Sequence, residues 1–342
     1  MRVVIRVDAS GEIGAGHVMR CLALADALIS RGHRPEFISR VLPGNLIDVV
    51  RRRGYSCIAL EPSLLNEKDD WLACQAVLGS PPDWMVVDSY RLGADWELAA
   101  RAAGVQVLAI DDGGVRPHAC RLILDHNQIP GNAERYSLSA PSAQQLIGPQ
   151  YALLRSEFAS AATLIRPPAE DVCSLLVCFG GADPGDATSR TLSAIADLLP
   201  ATVQLQVVVG GAYRHLSELQ VLAKGMNAHI WCQPPNLPEL YVAADLAIGG
   251  GGVSALERCV LGVPSIVMTI ADNQREAALG LAEAGALLFA GGADNEGIQR
   301  MRGFLQRCLV EPQVRQSVIA AGRLLVNVAG ATNVVRQLEM IH

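Results

Sequence analysis

Val3-Val4-Ile5-Arg6-Val7 is followed closely by Gly11-Glu12-Ile13-Gly14-Ala15-Gly16-His17-Val18-Met19-Arg20, and the reading of this stretch decides the fold. The first run is short and β-branched, as a buried parallel strand is. From Val18 onward, Val18, Leu22, Ala25 and Ile29 recur at helical spacing, and Gly32 closes the helix. The glycines of the turn, Gly14 and Gly16 among them, let the backbone come close to a ligand. The free N–H groups at the helix start attract an anion. His17 falls at the helix mouth, where the dipole disfavours imidazolium, so the ring is expected neutral and able to accept a proton. The alternative is a histidine that merely packs at a helix start.

Working outward, the same unit repeats: a short β-branched run, a turn, an alanine- and leucine-rich helix. Candidate strands cover 3 to 7, 36 to 39, 56 to 60, 84 to 88, 105 to 110 and 121 to 124, with helices such as 17 to 31, 44 to 53 and 94 to 103. This alternation implies a parallel α/β sheet. The pattern lapses from Arg155 to Glu170, around Arg166-Pro167-Pro168, a candidate linker. A second series opens with Ser174 to Phe179, turns at Gly180-Gly181, enters a helix near 186 to 199, and adds strands at 203 to 209, 228 to 231, 245 to 248, 264 to 268 and 286 to 289. The expected fold is two Rossmann-like, doubly wound parallel-sheet α/β domains facing across a cleft, over residues 1 to 160 and 168 to 321. Ligands in such sheets collect at the carboxyl ends of the strands.

Composition agrees with this. The chain has 342 residues, enough for two domains at roughly 150 residues each. Half of it is hydrophobic and 18% charged, which describes packed sheets and not disorder. A net charge of −6 argues against a nucleic-acid binder, which carries a basic face. Nine scattered cysteines with no Cys-x-x-Cys pair read as reduced thiols in a cytoplasmic protein. No secretory signal is recognised, and no apolar run is read as reaching the ~20 residues that span a bilayer, so neither secretion nor a membrane partner is expected.

A second motif, Gly249-Gly250-Gly251-Gly252-Val253-Ser254-Ala255-Leu256-Glu257, follows the strand at Leu246-Ala247-Ile248. Four glycines before a helix leave backbone N–H groups open as a pyrophosphate cradle, and Glu257, about one and a half helical turns on, can accept from two ribose hydroxyls. The run is not a Walker loop, for no Gly-Lys-Ser/Thr follows, and its spacing departs from Gly-x-Gly-x-x-Gly. A purely structural glycine turn is the alternative. Asp88-Ser89-Tyr90 and Asp272-Asn273-Gln274 are polar triplets just past strand ends, able to face a ligand or to cap a helix. Asp111-Asp112 reads mainly as turn or cap chemistry, with a supporting role as the other option. Asp8 is a candidate to orient His17, or part of an ordinary turn. His33, His118, His126, His215 and His229 stand apart in sequence, so no metal is expected, and the absence of Gly-x-Ser-x-Gly weighs against a hydrolase triad.

Together, Arg6 to Ser10, Ile13 to Ala25, Val86 to Tyr90, Gly180-Gly181-Ala182-Asp183, Gly249 to Glu257 and Asp272-Asn273-Gln274 resemble the UDP-2,4-diacetamido-2,4,6-trideoxy-β-L-altropyranose hydrolases of bacterial pseudaminic acid synthesis. The glycine-rich block and its glutamate also resemble the wider glycosyltransferase B-type group, which includes the N-acetylglucosaminyltransferase of peptidoglycan synthesis. The resemblance implies that the second domain holds UDP and that a terminal helix around 314 to 339, from about 322 onward, packs back on the first domain. It implies His17 as the catalytic histidine, Tyr90 and Asn273 on the sugar, and Glu257 on the uridine ribose. Gly14, Gly16, Gly251, Gly252, Val253, Ser254 and Gln274 complete the expected substrate contacts, with no cofactor. The implied reaction is hydrolysis of a UDP-sugar with inversion. A glycosyltransferase and a non-catalytic nucleotide-sugar binding module are the alternatives.

Overall fold

The computed structural model describes residues 1–63 and 66–342. The chain forms two compact units, Met1–Ser156 with Ala329–His342, and Glu157–Val328. The first unit contains β1 (Arg2–Val7), α1 (Gly16–Ser30), β2 (Arg34–Arg40), α2 (Ile47–Arg52), β3 (Cys57–Leu60), α3 (Glu67–Leu78) and β4 (Trp84–Asp88). It continues with α4 (Ala94–Ala102), β5 (Gln106–Ile110), β6 (Leu122–Asp125), α5 (Asn132–Ser139) and β7 (Gln144–Ile147). Its sheet has the order β3-β2-β1-β4-β5-β6-β7 and is parallel throughout.

Strand alternation sorts the core onto two faces. Val3, Ile5 and Val7 pack with Val18, Cys21, Leu22 and Leu28 of α1, whereas Val4, Met85 and Val87 pack with Trp71 of α3 and Trp96 of α4. Ile29, read as part of the apolar stripe of α1, is instead 53% exposed. Gly32 ends the helix at φ 80°, donating to Ile29 O while His33 N–H reaches back to Leu28 O. The expected helix at 44 to 53 shortens to α2, because Gly44 takes φ 78° and the Asn45 side chain bonds Leu42 O and Ile47 N–H in a turn.

The second unit runs α6 (Ser156–Ala161), β8 (Ser174–Cys178), α7 (Ala187–Ile195), β9 (Gln204–Val209), α8 (Leu216–Ala223), β10 (Ala228–Cys232) and α9 (Leu237–Ala243). It goes on through β11 (Leu246–Gly249), α10 (Val253–Leu261), β12 (Ser265–Thr269), α11 (Arg275–Glu283), β13 (Leu288–Gly292), α12 (Asn295–Val310) and α13 (Pro312–Leu325). Its parallel sheet has the order β10-β9-β8-β11-β12-β13. In both sheets the order reverses at the first strand of the unit, the crevice where doubly wound folds bind ligands.

The terminal helix of the sequence reading is two helices. After α13 the chain turns extended at Val326, and α14 (Gly330–Ile341) lays Val334, Val335 and Leu338 into the core of the first unit. Gly330 is needed at its start, since a Cβ there would stand 2.3 Å from Ala152 O. Burying those three side chains stabilises the unit by about 2 kcal/mol each. The stretch Pro312–Ile341 is long and apolar enough to cross a membrane by composition, which the sequence reading did not register. Its residues divide between α13 in one unit and α14 in the other.

Candidate active site

The turn before α1 is built by Ser10, whose Oγ accepts from Glu12 N–H and Ile13 N–H and whose carbonyl accepts from Gly14 N–H at 2.9 Å. Gly14 sits at φ 80°. No side chain caps α1, so the first N–H groups, those of Gly16 and His17 among them, point outward without an intrahelical acceptor. His17 begins the helix with its side chain 11% exposed.

Its partner is Asp88, the last residue of β4, and not Asp8. His17 Nδ1 lies 2.6 Å from Asp88 Oδ1. Arg20, one turn further along α1 on the same side, donates from Nε and Nη2 to the two oxygens of Asp88 at 2.7 and 2.8 Å. Its other edge bonds Asp112, with Nη1 to Oδ1 at 2.9 Å and Nη2 to Oδ2 at 3.1 Å. Burial pushes the Asp88 carboxyl up, but Arg20 and His17 outweigh it and hold the group well below the usual carboxylate range. Asp112 is likewise driven down against its burial by Arg20. With Asp88 ionised, the proton of the hydrogen bond resides on Nδ1, and the basic atom of a neutral ring is Nε2.

Tyr90, two residues past Asp88, donates its hydroxyl to Asp112 Oδ2 at 2.6 Å and stands edge-on to His17 with ring centres 4.9 Å apart. Asn127 Nδ2 donates to Asp112 Oδ1 at 2.8 Å. Asp112 therefore joins Arg20, Tyr90 and Asn127, whereas Asp111 turns away to Arg116, Tyr136 and His118. Arg20 and Asn127 were not singled out in sequence, and Asp112 was read mainly as turn or cap chemistry with a supporting role as the other option. The signal available was an arginine three residues after a histidine on an otherwise apolar helix.

Asp8 is claimed by Arg6 at 2.6 Å and Arg40 at 2.8 Å and does not touch His17. The other histidines acquire partners that sequence spacing concealed. His33 meets Glu339 at 2.8 Å, and His118, two residues from Cys120, meets Glu97 at 2.7 Å. Glu97, His118 and Cys120 bring ligand-type atoms within 4.8 Å of one another. His118 is held there as a cation: burial lowers its pKa, but Asp111 and Glu97 raise it to about 9.

In the second unit the glycine run leaves β11 for α10. Gly249 is obligatory, because a Cβ would fall 2.2 Å from Cys178 O of the adjoining strand β8. Arg258, fully buried, fixes the loop from beneath through Nη2 to Gly250 O at 2.7 Å and Nε to Ser265 Oγ at 2.9 Å. Gln274 Oε1 accepts from Gly251 N–H at 3.3 Å, so this residue stitches the turn Asp272–Gln274 to the glycines. The N–H groups of Gly252, Val253 and Ser254 lie at the uncapped start of α10. Glu257 is buried in the next turn, and Asn273 is exposed beside Gln274. The Gly180 to Asp183 motif is capping chemistry: Asp183 accepts from the N–H groups of Ala187 and Thr188, both at 2.9 Å.

No protein-family profile matches the chain. It is 25% identical over 287 residues, 83% of its own length and 97% of the relative's, to the UDP-2,4-diacetamido-2,4,6-trideoxy-beta-L-altropyranose hydrolase of Campylobacter jejuni. It is also 25% identical over 285 residues to an uncharacterized protein of Methanocaldococcus jannaschii, a match that takes 81% of this chain and 57% of that longer one. In structure it resembles MurG of Acinetobacter baumannii, with a TM-score of 0.71 and 16% identity over 99% of this chain and 100% of that one. The chain thus has the glycosyltransferase B-type fold and is, by sequence, a relative of the Campylobacter hydrolase whose family its motifs resemble.

Proposed function

We propose that the protein hydrolyses UDP-linked 2,4-diacetamido-2,4,6-trideoxy-β-L-altropyranose to UDP and the free sugar, in the cytoplasmic synthesis of pseudaminic acid that serves flagellin glycosylation. The observation that carries this reading is the Asp88–His17 pair, in which a buried, ionised carboxylate fixes Nδ1 as donor and leaves Nε2 to receive a proton. A water oxygen bonds to the anomeric carbon as its proton passes to His17 Nε2. The bond from that carbon to the UDP oxygen breaks, and its electron pair leaves with the diphosphate. Attack opposite UDP inverts the anomeric centre. Asp88 stabilises and orients the imidazolium as it forms, and Arg20 holds that carboxylate in place.

UDP is a good leaving group, so no acid opposite the base is needed, unlike the paired carboxylates of ordinary glycosidases. The amides from Gly252 to Ser254 at the start of α10 face the developing diphosphate charge, each such donor contributing on the order of 3 kcal/mol, while Gly251 gives its N–H to Gln274. Glu257 takes the ribose hydroxyls, Tyr90 and Asn273 the sugar, and neither a metal nor a cofactor enters. The nearest alternative on this fold is transfer of the sugar to an acceptor.

The test supplies UDP-sugars with no acceptor and no added metal and follows UDP release. Steady release from the diacetamido sugar is expected, with His17→Leu slower by roughly 100- to 10,000-fold and UDP affinity nearly unchanged. Release only on addition of an acceptor would make the protein a transferase, and binding without turnover a non-catalytic module.

A further inference from the structure

Beside the His17–Asp88 pair, at the same carboxyl end of the first sheet, lies a cavity of about 290 Å³ that the proposed reaction does not use. Arg40, at the end of β2, and Asp8, just beyond β1, come together because Arg6 is in register with Ile38. Asp8 pins Arg40 twice, accepting from its backbone N–H and from Nε, both at 2.8 Å. The Arg40 side chain is 5% exposed, yet among the described residues Nη1 and Nη2 have no hydrogen-bond partner, and the residue lines the cavity. Arg6 differs: all three of its guanidinium nitrogens are engaged by Asp8 and Asp70.

The loop after β4 serves both places in alternation. Asp88 and Tyr90 turn to His17, while Ser89 and Arg91 line the cavity. A buried guanidinium fork with its Nε already fixed is preorganised for a planar pair of lone pairs. Arg6, Arg40 and Arg91 are matched in the lining by Asp8, Asp70 and Glu67, so the fork offers geometry without net positive charge and disfavours a doubly charged phosphate.

We infer that this cavity is a ligand subsite in which Arg40 receives a planar oxygen group, an acylamino carbonyl or a carboxylate. Only the source of that oxygen rests on the hydrolase reading: if it holds, the group is an acetamido substituent of the sugar.

The test titrates the full chain with free 2,4-diacetamido-2,4,6-trideoxy sugar, its diamino counterpart, sodium acetate and inorganic phosphate, by ligand-observed NMR. Arg40→Lys keeps the charge and removes the fork; Ser89→Leu fills the cavity and leaves the Arg40–Asp8 bonds in place. UDP affinity and the melting midpoint report folding. Binding of the diacetamido sugar or of acetate is expected to weaken about tenfold to a hundredfold in both variants, with no such response from the diamino sugar. A parallel fall in kcat/KM for the UDP-sugar assigns the oxygen to the sugar; loss of acetate binding alone assigns it to a separate small carboxylate. Unchanged binding in folded Ser89→Leu, or phosphate held more tightly than acetate, overturns the inference. Should Arg40→Lys fail to fold, Ser89→Leu decides.

Discussion

Asp88 is the residue on which the chemistry of His17 turns. Its two oxygens receive Nδ1 of the histidine and two nitrogens of Arg20, so one carboxylate sets both the ring's tautomer and its direction. Asp88→Asn keeps the shape and removes the charge, and the amide can present a donor where Nδ1–H needs an acceptor. Turnover is expected to fall about 100- to 10,000-fold while UDP affinity is retained, and the ¹⁵N shifts of His17 should report a changed tautomer. Wild-type turnover in a folded Asp88→Asn protein would remove His17 as the base. In the sequence His17 stood out because glycines surround it at a strand-to-helix junction. Asp88 was visible only as one of several polar residues after a strand, since 71 positions separate it from its partner. Asp8 was the nearer candidate, and it fails because Arg6 and Arg40 claim both its oxygens.

Elements were legible where burial imposes one pattern along the chain. β1 and β4, enclosed on both faces, read as apolar runs, Trp84 to Val87 unbroken and Val3 to Val7 interrupted only by Arg6, whereas the edge strand β7, Gln144-Gln145-Leu146-Ile147, carries two glutamines and was not recognised. The division of the terminal helix at Val326 was also hidden, because apolar residues continue through the break, and the close packing of Gly330 on Ala152 just beyond it joins residues far apart in sequence. Ties of this kind also join elements by charge. His118 links Glu97 of α4 to Asp111 at the end of β5, and its pKa stands near 9, above the ordinary imidazole value of 6.5. A folded-state pKa above the unfolded one gives stability that is fully present below about pH 6.5 and is lost as pH rises through about 9. Urea midpoints should therefore show the parent ahead of His118→Gln at pH 6, with the gap narrowing by pH 10. A gap of constant size across that range would mean that His118 contributes by packing alone.

At the scale of the whole molecule, two α/β series separated by a lapse in pattern made two parallel sheets legible. The strand orders were not, because periodicity records which face a residue occupies and carries no information about which strand lies alongside. The return of α14 to the first unit came from resemblance and not from periodicity. The same fold carries sugar transfer as readily as hydrolysis, so fold alone does not decide the reaction. What decides it is the fate of water. The reaction run on the UDP-diacetamido sugar in ¹⁸O-enriched water, without acceptor, tests the central claim most directly. The account predicts one ¹⁸O on the anomeric carbon of the released sugar, the first-formed anomer inverted, and unlabelled UDP. Label in the phosphate of UDP, or a retained anomer, would contradict attack at carbon by a water that His17 activates.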